Sequence, residues 1–319
     1  RRVVVVGAMR GDDLCGAWVG RRVPSLFVRP SFGRAQFVVG NARGVERRRC
    51  FFDEDLARQF GCDRLQDMSV SSIEAYCAKA LNAFLGPKGS ETAADFILEL
   101  RTSTSSAGIS LVAEEWSALG LAAACWCTRR LAPLVDSKSL PVVRVVLDRC
   151  GKRSSPHVAS IAREGLAVVV GPIASGTLRA EACRWMMSVL SSVLDFLHAF
   201  NAHDKLDLPA TELVYRRSGD KILAPAGQGE VPGAIVHERL HGADFKRLSV
   251  GDPLFSCIDG ETKVYDGGLG PVVWPVFIDD VVDCAVLGRS GFDVAYLEEV
   301  SVPQVCRQQG PEDVVVGDA

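Results

Sequence analysis

The chain has 319 residues, 48% hydrophobic and 24% charged, with a net charge of −3. That length gives one large domain or two ordinary ones, and the composition excludes a disordered tail. The mild acidity argues against nucleic acid as a partner, and no apolar run reaches the ~20 residues that span a bilayer.

In chain order, Val3–Val6 is a short apolar strand ending at Gly7, and Gln36–Val39 is another, stopped by Gly40. Ser71–Leu85 has helical apolar spacing through Ile73, Cys77, Leu81 and Leu85 and ends at Gly86-Pro87. Asp95–Leu100 and Ile109–Ala113 read as strands around the polar Thr102–Ser106 loop. Trp116–Leu131 reads as a long helix. Val142–Leu147 and Leu166–Val170 are continuous runs suited to strands covered on both faces. Leu178–Phe200 is a second long helix with an apolar stripe through Cys183, Met186, Met187, Leu190, Val193, Leu194 and Leu197. After Asn201 the texture changes. Short strand-like pieces (Thr211–Tyr215, Gly233–His237, Val264–Tyr265, Val272–Phe277) alternate with Gly, Pro and Asp turns, and a loose tail follows Val302. The expectation is an α/β domain over residues 1–205, a β-rich capping domain over 206–300 and a loose tail over 301–319.

Eleven scattered cysteines, of which only Cys125 and Cys127 are close, read as reduced thiols and a cytoplasmic protein. The chain opens Arg1-Arg2-Val3 without an initiator Met, which is compatible with a trimmed or partial chain, and Val3–Gly7 is too short for a signal-peptide core. The Arg47-Arg48-Arg49 run reads as a solvated turn. Gly7-x-x-x-Gly11 lacks the Gly-Lys-Ser/Thr ending of a phosphate loop.

A set of motifs, in order from Val3 to about residue 295, resembles the aspartoacylase and aminoacylase family of zinc amidohydrolases. They include Gly86-Pro87-Lys88, Thr104-Ser105-Ser106-Ala107-Gly108, Gly171-Pro172, Leu178-Arg179-Ala180, Asp195-Phe196 and Phe200-Asn201. Further on come Ile235-Val236-His237, Gly251-Asp252-Pro253-Leu254-Phe255 and Pro275-Val276-Phe277. The resemblance implies a zinc-carboxypeptidase-like mixed sheet flanked by helices, a smaller mostly-β C-terminal domain and a homodimer. It also implies hydrolysis of N-acyl amino acids such as N-acetylaspartate, with one Zn²⁺ held by two His and one Glu and a second Glu that activates water.

The family's ligand loop, Gly-Thr-His-Gly-Asn-Glu, falls on Ala8-Met9-Arg10-Gly11-Asp12-Asp13. The resemblance therefore places the first His at Arg10 and the Glu at Asp13. The second His falls at Arg101, within Glu99-Leu100-Arg101-Thr102-Ser103-Thr104-Ser105. The base Glu falls at Val169, before Gly171-Pro172. Arginine has no lone pair for zinc and valine moves no proton, so the expectation is no zinc and no intact catalytic base.

Substrate positions differ too. The family's Asp-Leu-Asn-Arg is Asp55-Leu56-Ala57-Arg58, an Arg becomes Cys50 beside Arg49, the carboxylate-clamping Arg falls at Ala159, and two Tyr fall at Ser155 and Cys284. The five histidines, His157, His198, His203, His237 and His241, read as packing or surface residues, with His157 near the pocket mouth. The hydroxyls of the Thr102–Ser106 loop lack a His base that would make a nucleophile.

Arg10, Asp13, Arg101 and Arg58 leave two readings open. Arginines and aspartate satisfy one another where the metal would sit, or they keep an anion pocket. The candidate anion-binding residues are Arg58, Arg49, Arg10 and Arg101. The leading expectation is a catalytically inactive relative that holds a small anionic ligand or a partner. The alternative is a working amidohydrolase for N-acetylaspartate or N-acyl aromatic amino acids.

Overall fold

A computed structural model describes residues 2–23, 35–226, 232–280, 290–307 and 314–317. The first part of the chain holds strands β1 (Val3–Gly7), β2 (Gln36–Val39), β3 (Phe96–Thr102), β4 (Gly108–Glu114), β5 (Val143–Asp148) and β6 (Glu164–Gly171). The second holds β7 (Thr211–Leu223), β8 (Ala234–Val236), β9 (Leu248–Ser249), β10 (Pro253–Cys257), β11 (Thr262–Val264), β12 (Val272–Val276), β13 (Gly291–Ser301), β14 (Gln304–Arg307) and β15 (Val314–Gly317). Ten strands form one sheet in the order β2-β1-β3-β6-β4-β5-β7-β13-β12-β9. Pairing is parallel from β2 to β6, antiparallel between β6 and β4, parallel from β4 to β7 and antiparallel beyond. This is the mixed sheet flanked by helices that the resemblance implies. Strands β11, β10 and β8 form a smaller antiparallel sheet.

The helices are α1 (Leu14–Gly20), α2 (Ala42–Arg47), α3 (Cys62–Gln66), α4 (Ile73–Leu85), α5 (Ala118–Asp136) and α6 (Ala180–Asn201). The two long apolar stripes do what their spacing predicts. Helices α5 and α6 lay them on one face of the sheet, against Leu98, Leu111, Val145 and Val168. Each start has a local cause where a short polar residue precedes it: Ser72 accepts from Ala75 N at 3.1 Å and Ser117 from Gly120 N at 3.2 Å. Gly120 is where α5 touches the sheet, since a Cβ there would lie 2.1 Å from the Gly165 carbonyl oxygen.

The opposite face carries the alternate residues of the same strands. Near β1 and β3 these pack as Val4, Val6 and Ile97 with Leu56 and Phe60. Toward the second part of the chain they are Val112, Val146 and Val169 with Phe245 and Phe277. Between these two clusters the alternation brings polar groups to the same face, and a cleft opens there.

Two pairings bear on the expected divisions. Strand β7 pairs with β5 in parallel, so the main sheet runs on past residue 205 without a break. The segment after Val302, read as a loose tail, pairs as β14 and β15, and Val302 and Val305 join the main core. The 11-residue β13 and the short helices α1, α2 and α3 are absent from the sequence reading; each is too short or too mixed in pattern to show a period.

Candidate functional site

The cleft is a cavity of about 490 Å³ over the second face of the sheet. Its floor comes from strand ends and the loop after β1: Arg10, Arg58, Arg101 and Val169 line it. Arg101 and Val169 are register partners on β3 and β6, so they share one face. Its wall comes from the seam between β5 and β7, where Asp148 is the register partner of Arg217, joined by Lys221 and by Asp293 of β13. Six cations (Arg10, Arg58, Arg101, Arg149, Arg217, Lys221) line the cavity against three carboxylates (Asp148, Asp280, Asp293).

The wall is an interlocked network. Arg217 donates Nε and Nη2 to the two oxygens of Asp148, both at 2.5 Å, and Nη1 to Asp293 at 2.7 Å. Lys221 pairs with the other oxygen of Asp293. Burial opposes the charge on Asp148, but the Arg217 guanidinium more than offsets it, and the carboxyl is held below its usual range. His157 lies beside Asp148 at 3.8 Å. Burial first, and then Arg101, push its pKa down to about 3, so the imidazole is neutral. Its Nδ1 has no hydrogen-bond partner among the described residues.

The floor is built differently. Arg10 reaches Asp55 at 3.1 Å and Asp280 at 3.5 Å. Burial opposes its charge, but Asp55 and Asp280 more than offset that and raise its pKa. Arg58 meets Asp55 at 3.5 Å. Asp55 is itself fixed by capping the turn Leu56–Arg58, accepting from Ala57 N at 3.1 Å. Arg101 Nε lies 3.1 Å from Glu99 Oε1. The arrangement makes no hydrogen bond: Arg101 Nε and both Glu99 oxygens lack one among the described residues. Glu99 is wholly buried, and that burial, partly countered by Arg101, pushes its pKa up.

Asp13 is not shared between Arg10 and Arg101, as one of the two readings left open by the sequence would have it. Its oxygens accept from Gly16 N at 3.1 Å and Thr102 N at 2.9 Å, which caps α1 and ties it to the end of β3. Each arginine pairs with another carboxylate instead. A zinc ion needs lone-pair donors at about 2.0–2.2 Å. Arg10 and Arg101 have none, and Asp13 alone is one carboxylate, too few for a three-ligand site, so these residues do not fit the ion. Among the described residues, no group of three or more His, Cys, Asp or Glu is placed to hold a metal.

Three of the four candidate anion-binding residues, Arg10, Arg58 and Arg101, meet in the cleft. Arg49 does not. It is exposed, beside the C-cap of α2, with its guanidinium 5.6 Å from the Phe52 ring centre. Gly11 serves packing, since a Cβ there would meet Gly44 backbone at 2.1 Å. Neither Ala159 nor Ser155 lines the cavity. Ala159 packs under β1 and β3, and Ser155 donates to Glu114 at 2.8 Å, while the neighbouring Pro156 and His157 reach the cleft. Cys284 lies outside the described residues. His237 caps a turn through Nδ1, which accepts from Arg239 N at 3.2 Å. Ser103 donates to Asp280 at 2.6 Å, with no histidine in that contact.

The sequence reading missed Asp148, Arg217, Lys221, Asp280 and Asp293. One local signal existed: Asp148 directly follows an apolar run, at the end of a strand where sites form in α/β sheets. Arg217, Lys221 and Asp293 belong to no motif and meet only through the pairing of β5, β7 and β13, and Asp280 arrives from the segment after β12.

A family model, succinylglutamate desuccinylase/aspartoacylase catalytic domain, matches residues 1–197. The N-acyl-aromatic-L-amino acid amidohydrolase (carboxylate-forming) of Mus musculus is 32% identical over 285 residues, covering 88% of this chain and 86% of that protein. The aspartoacylase of Xenopus tropicalis is 30% identical over 292 residues, covering 88% of each. The crystal structure of murine aminoacylase 3 matches with a TM-score of 0.83 at 30% identity, covering 95% of this chain and 97% of that one. On the match of the family model over residues 1–197 and of relatives 30–32% identical over 88% of its length, this chain belongs to the succinylglutamate desuccinylase/aspartoacylase family.

Proposed function

We propose that this chain is a family member that has given up zinc hydrolysis and uses its cationic cleft to hold an anion. One observation carries the reading. The guanidiniums of Arg10 and Arg101 lie at the cleft floor, at the positions where the family resemblance puts two metal-binding imidazoles. Val169 supports it from beside Arg101, at the position where the family resemblance puts the water-activating glutamate. Loss of a general base alone removes roughly 10²–10⁴ in rate, and loss of the metal removes the lowered water pKa and the carbonyl polarisation as well. His157 is no substitute base, because a nitrogen with a pKa of about 3 holds protons too weakly.

The test is metal analysis of the purified chain with a deacylase assay at high enzyme concentration, on N-acetylaspartate and on N-acetyl aromatic amino acids. The expected result is no stoichiometric zinc and no rate above buffer. About one zinc per chain, with turnover that a chelator abolishes, would overturn the reading. The names of the relatives favour that second outcome, an active amidohydrolase for N-acyl amino acids.

A further inference from the structure

The anion reading can be taken to a ligand class by asking which cations of the cleft still have donors to give. Arg217 has all three of its nitrogens on Asp148 and Asp293, and Lys221 is on Asp293. Arg10 is divided between Asp55 and Asp280, and Arg58 leans on Asp55. Arg149 is exposed, so water satisfies it and an anion there gains little. Arg10 Nε makes no hydrogen bond to a described residue, but Arg10 still donates to Asp55, whereas Arg101 donates to no described residue. The Arg101 side chain is 14% exposed. Glu99 is the one described carboxylate within ion-pair distance of it, and the buried Arg101 Nε makes no hydrogen bond to a described residue. A guanidinium taken largely out of water with its fork unfilled is costly, and a planar carboxylate is the group that fills two of its N–H directions at once.

What surrounds Arg101 limits the rest of the ligand. Val169 is its cross-strand neighbour, and Val112 and Phe277 continue the same apolar surface across the cavity. A second carboxylate on the wall side would meet the like charge of Asp148 and Asp293, and one on the floor side would compete with Asp55 and Asp280 for Arg10 and Arg58. Resting on the anion-pocket reading, we propose that Arg101 anchors the ligand and that the ligand is a monocarboxylate with an apolar body, seated against Val169, Val112 and Phe277.

Titration calorimetry on the full chain tests this with four probes: phenylacetate, hexanoate, succinate and inorganic phosphate. Phenylacetate and hexanoate bind, and succinate and phosphate bind at least tenfold more weakly. Arg101→Met weakens phenylacetate at least tenfold, and Arg101→Lys does nearly the same because it keeps the charge and loses the planar fork. Arg49→Ala, outside the cleft, leaves it within threefold. Thermal unfolding of each variant confirms that it is folded. Tighter binding of succinate or phosphate, binding unchanged in both Arg101 variants, or binding of none of the probes overturns the proposal. Those outcomes in a chain that carries no zinc and turns nothing over leave the non-hydrolytic reading standing. A zinc-loaded, chelator-sensitive deacylase would instead remove the reading beneath it.

Discussion

The wall and the floor of the cleft both set cations against carboxylates, and they differ at one pair. At the wall, Arg217 puts all three nitrogens on Asp148 and Asp293, and Lys221 pairs with Asp293 as well. At the floor, Arg101 and Glu99 touch without completing a hydrogen bond. The difference shows that net charge is a poor guide to where a ligand sits. A saturated network holds structure together, whereas unfilled donors beside apolar surface are what an incoming group can use.

The largest expected effect is at the wall. Asp148→Asn removes the anion that accepts twice from Arg217 and leaves a mostly buried guanidinium short of a partner. Breaking one side of a buried pair costs about 3–5 kcal/mol, readable in urea unfolding. A loss below about 1 kcal/mol would mean that Asp293 alone satisfies Arg217 and that the wall is no network.

The next prediction attacks the floor. Changing Arg10→His, Asp13→Glu, Arg101→His and Val169→Glu together should create zinc binding. It should stabilise the variant by about 2.7 kcal/mol at a hundred times the dissociation constant. The readout is melting temperature with and without zinc, in the variant and the parent. An unchanged variant would mean that these four positions do not converge as the family's do, and an equal shift in the parent would reveal a metal site already present.

Glu114 gives an intermediate effect beneath the wall, where it is the register partner of Asp148. Burial raises its pKa from 4.5 to about 6, although Ser155 and Trp116 donate to it at 2.8 and 2.6 Å. The folded state therefore holds this proton more tightly than the unfolded one. Its contribution is fully present below about pH 4.5 and is lost as pH rises through about 6, a change of about 2 kcal/mol. Glu114→Gln should flatten the stability profile in that window. The same slope in wild type and variant would assign the titration to another group.

The smallest effect belongs to Arg49→Ala. The residue is exposed and its one ring contact is at the surface, so unfolding should shift by less than about 0.5 kcal/mol. A loss above 1 kcal/mol would show that the contact with Phe52 supports the loop leading to Asp55.

The legible parts of this molecule are those whose signal is local. The long apolar stripes of α5 and α6 and the β-branched runs of β5 and β6 declare themselves in a window of a dozen residues. So do Arg10, Arg58, Arg101 and Val169, because each sits inside a motif with a fixed place in the chain. The wall was illegible for the opposite reason. Arg217 and Asp148 are 69 residues apart, Arg217 and Asp293 are 76 apart, and no short pattern connects them. The role of Asp13 was not legible, because its motif suggested only a charge partner. Its actual partners, the amides of Gly16 and Thr102, depend on how α1 meets β3.

The unbroken pairing of β5 with β7 also has a consequence during synthesis. A nascent chain that has emerged only to residue 205 holds β5 with one side of its ladder unmade, and Asp148 at the end of that strand has no Arg217 to meet. Such a fragment presents an edge strand, the feature by which chains join one another into aggregates. The first two-thirds of the sequence therefore depends on the last third for the closing of its own sheet as well as for one side of the cleft.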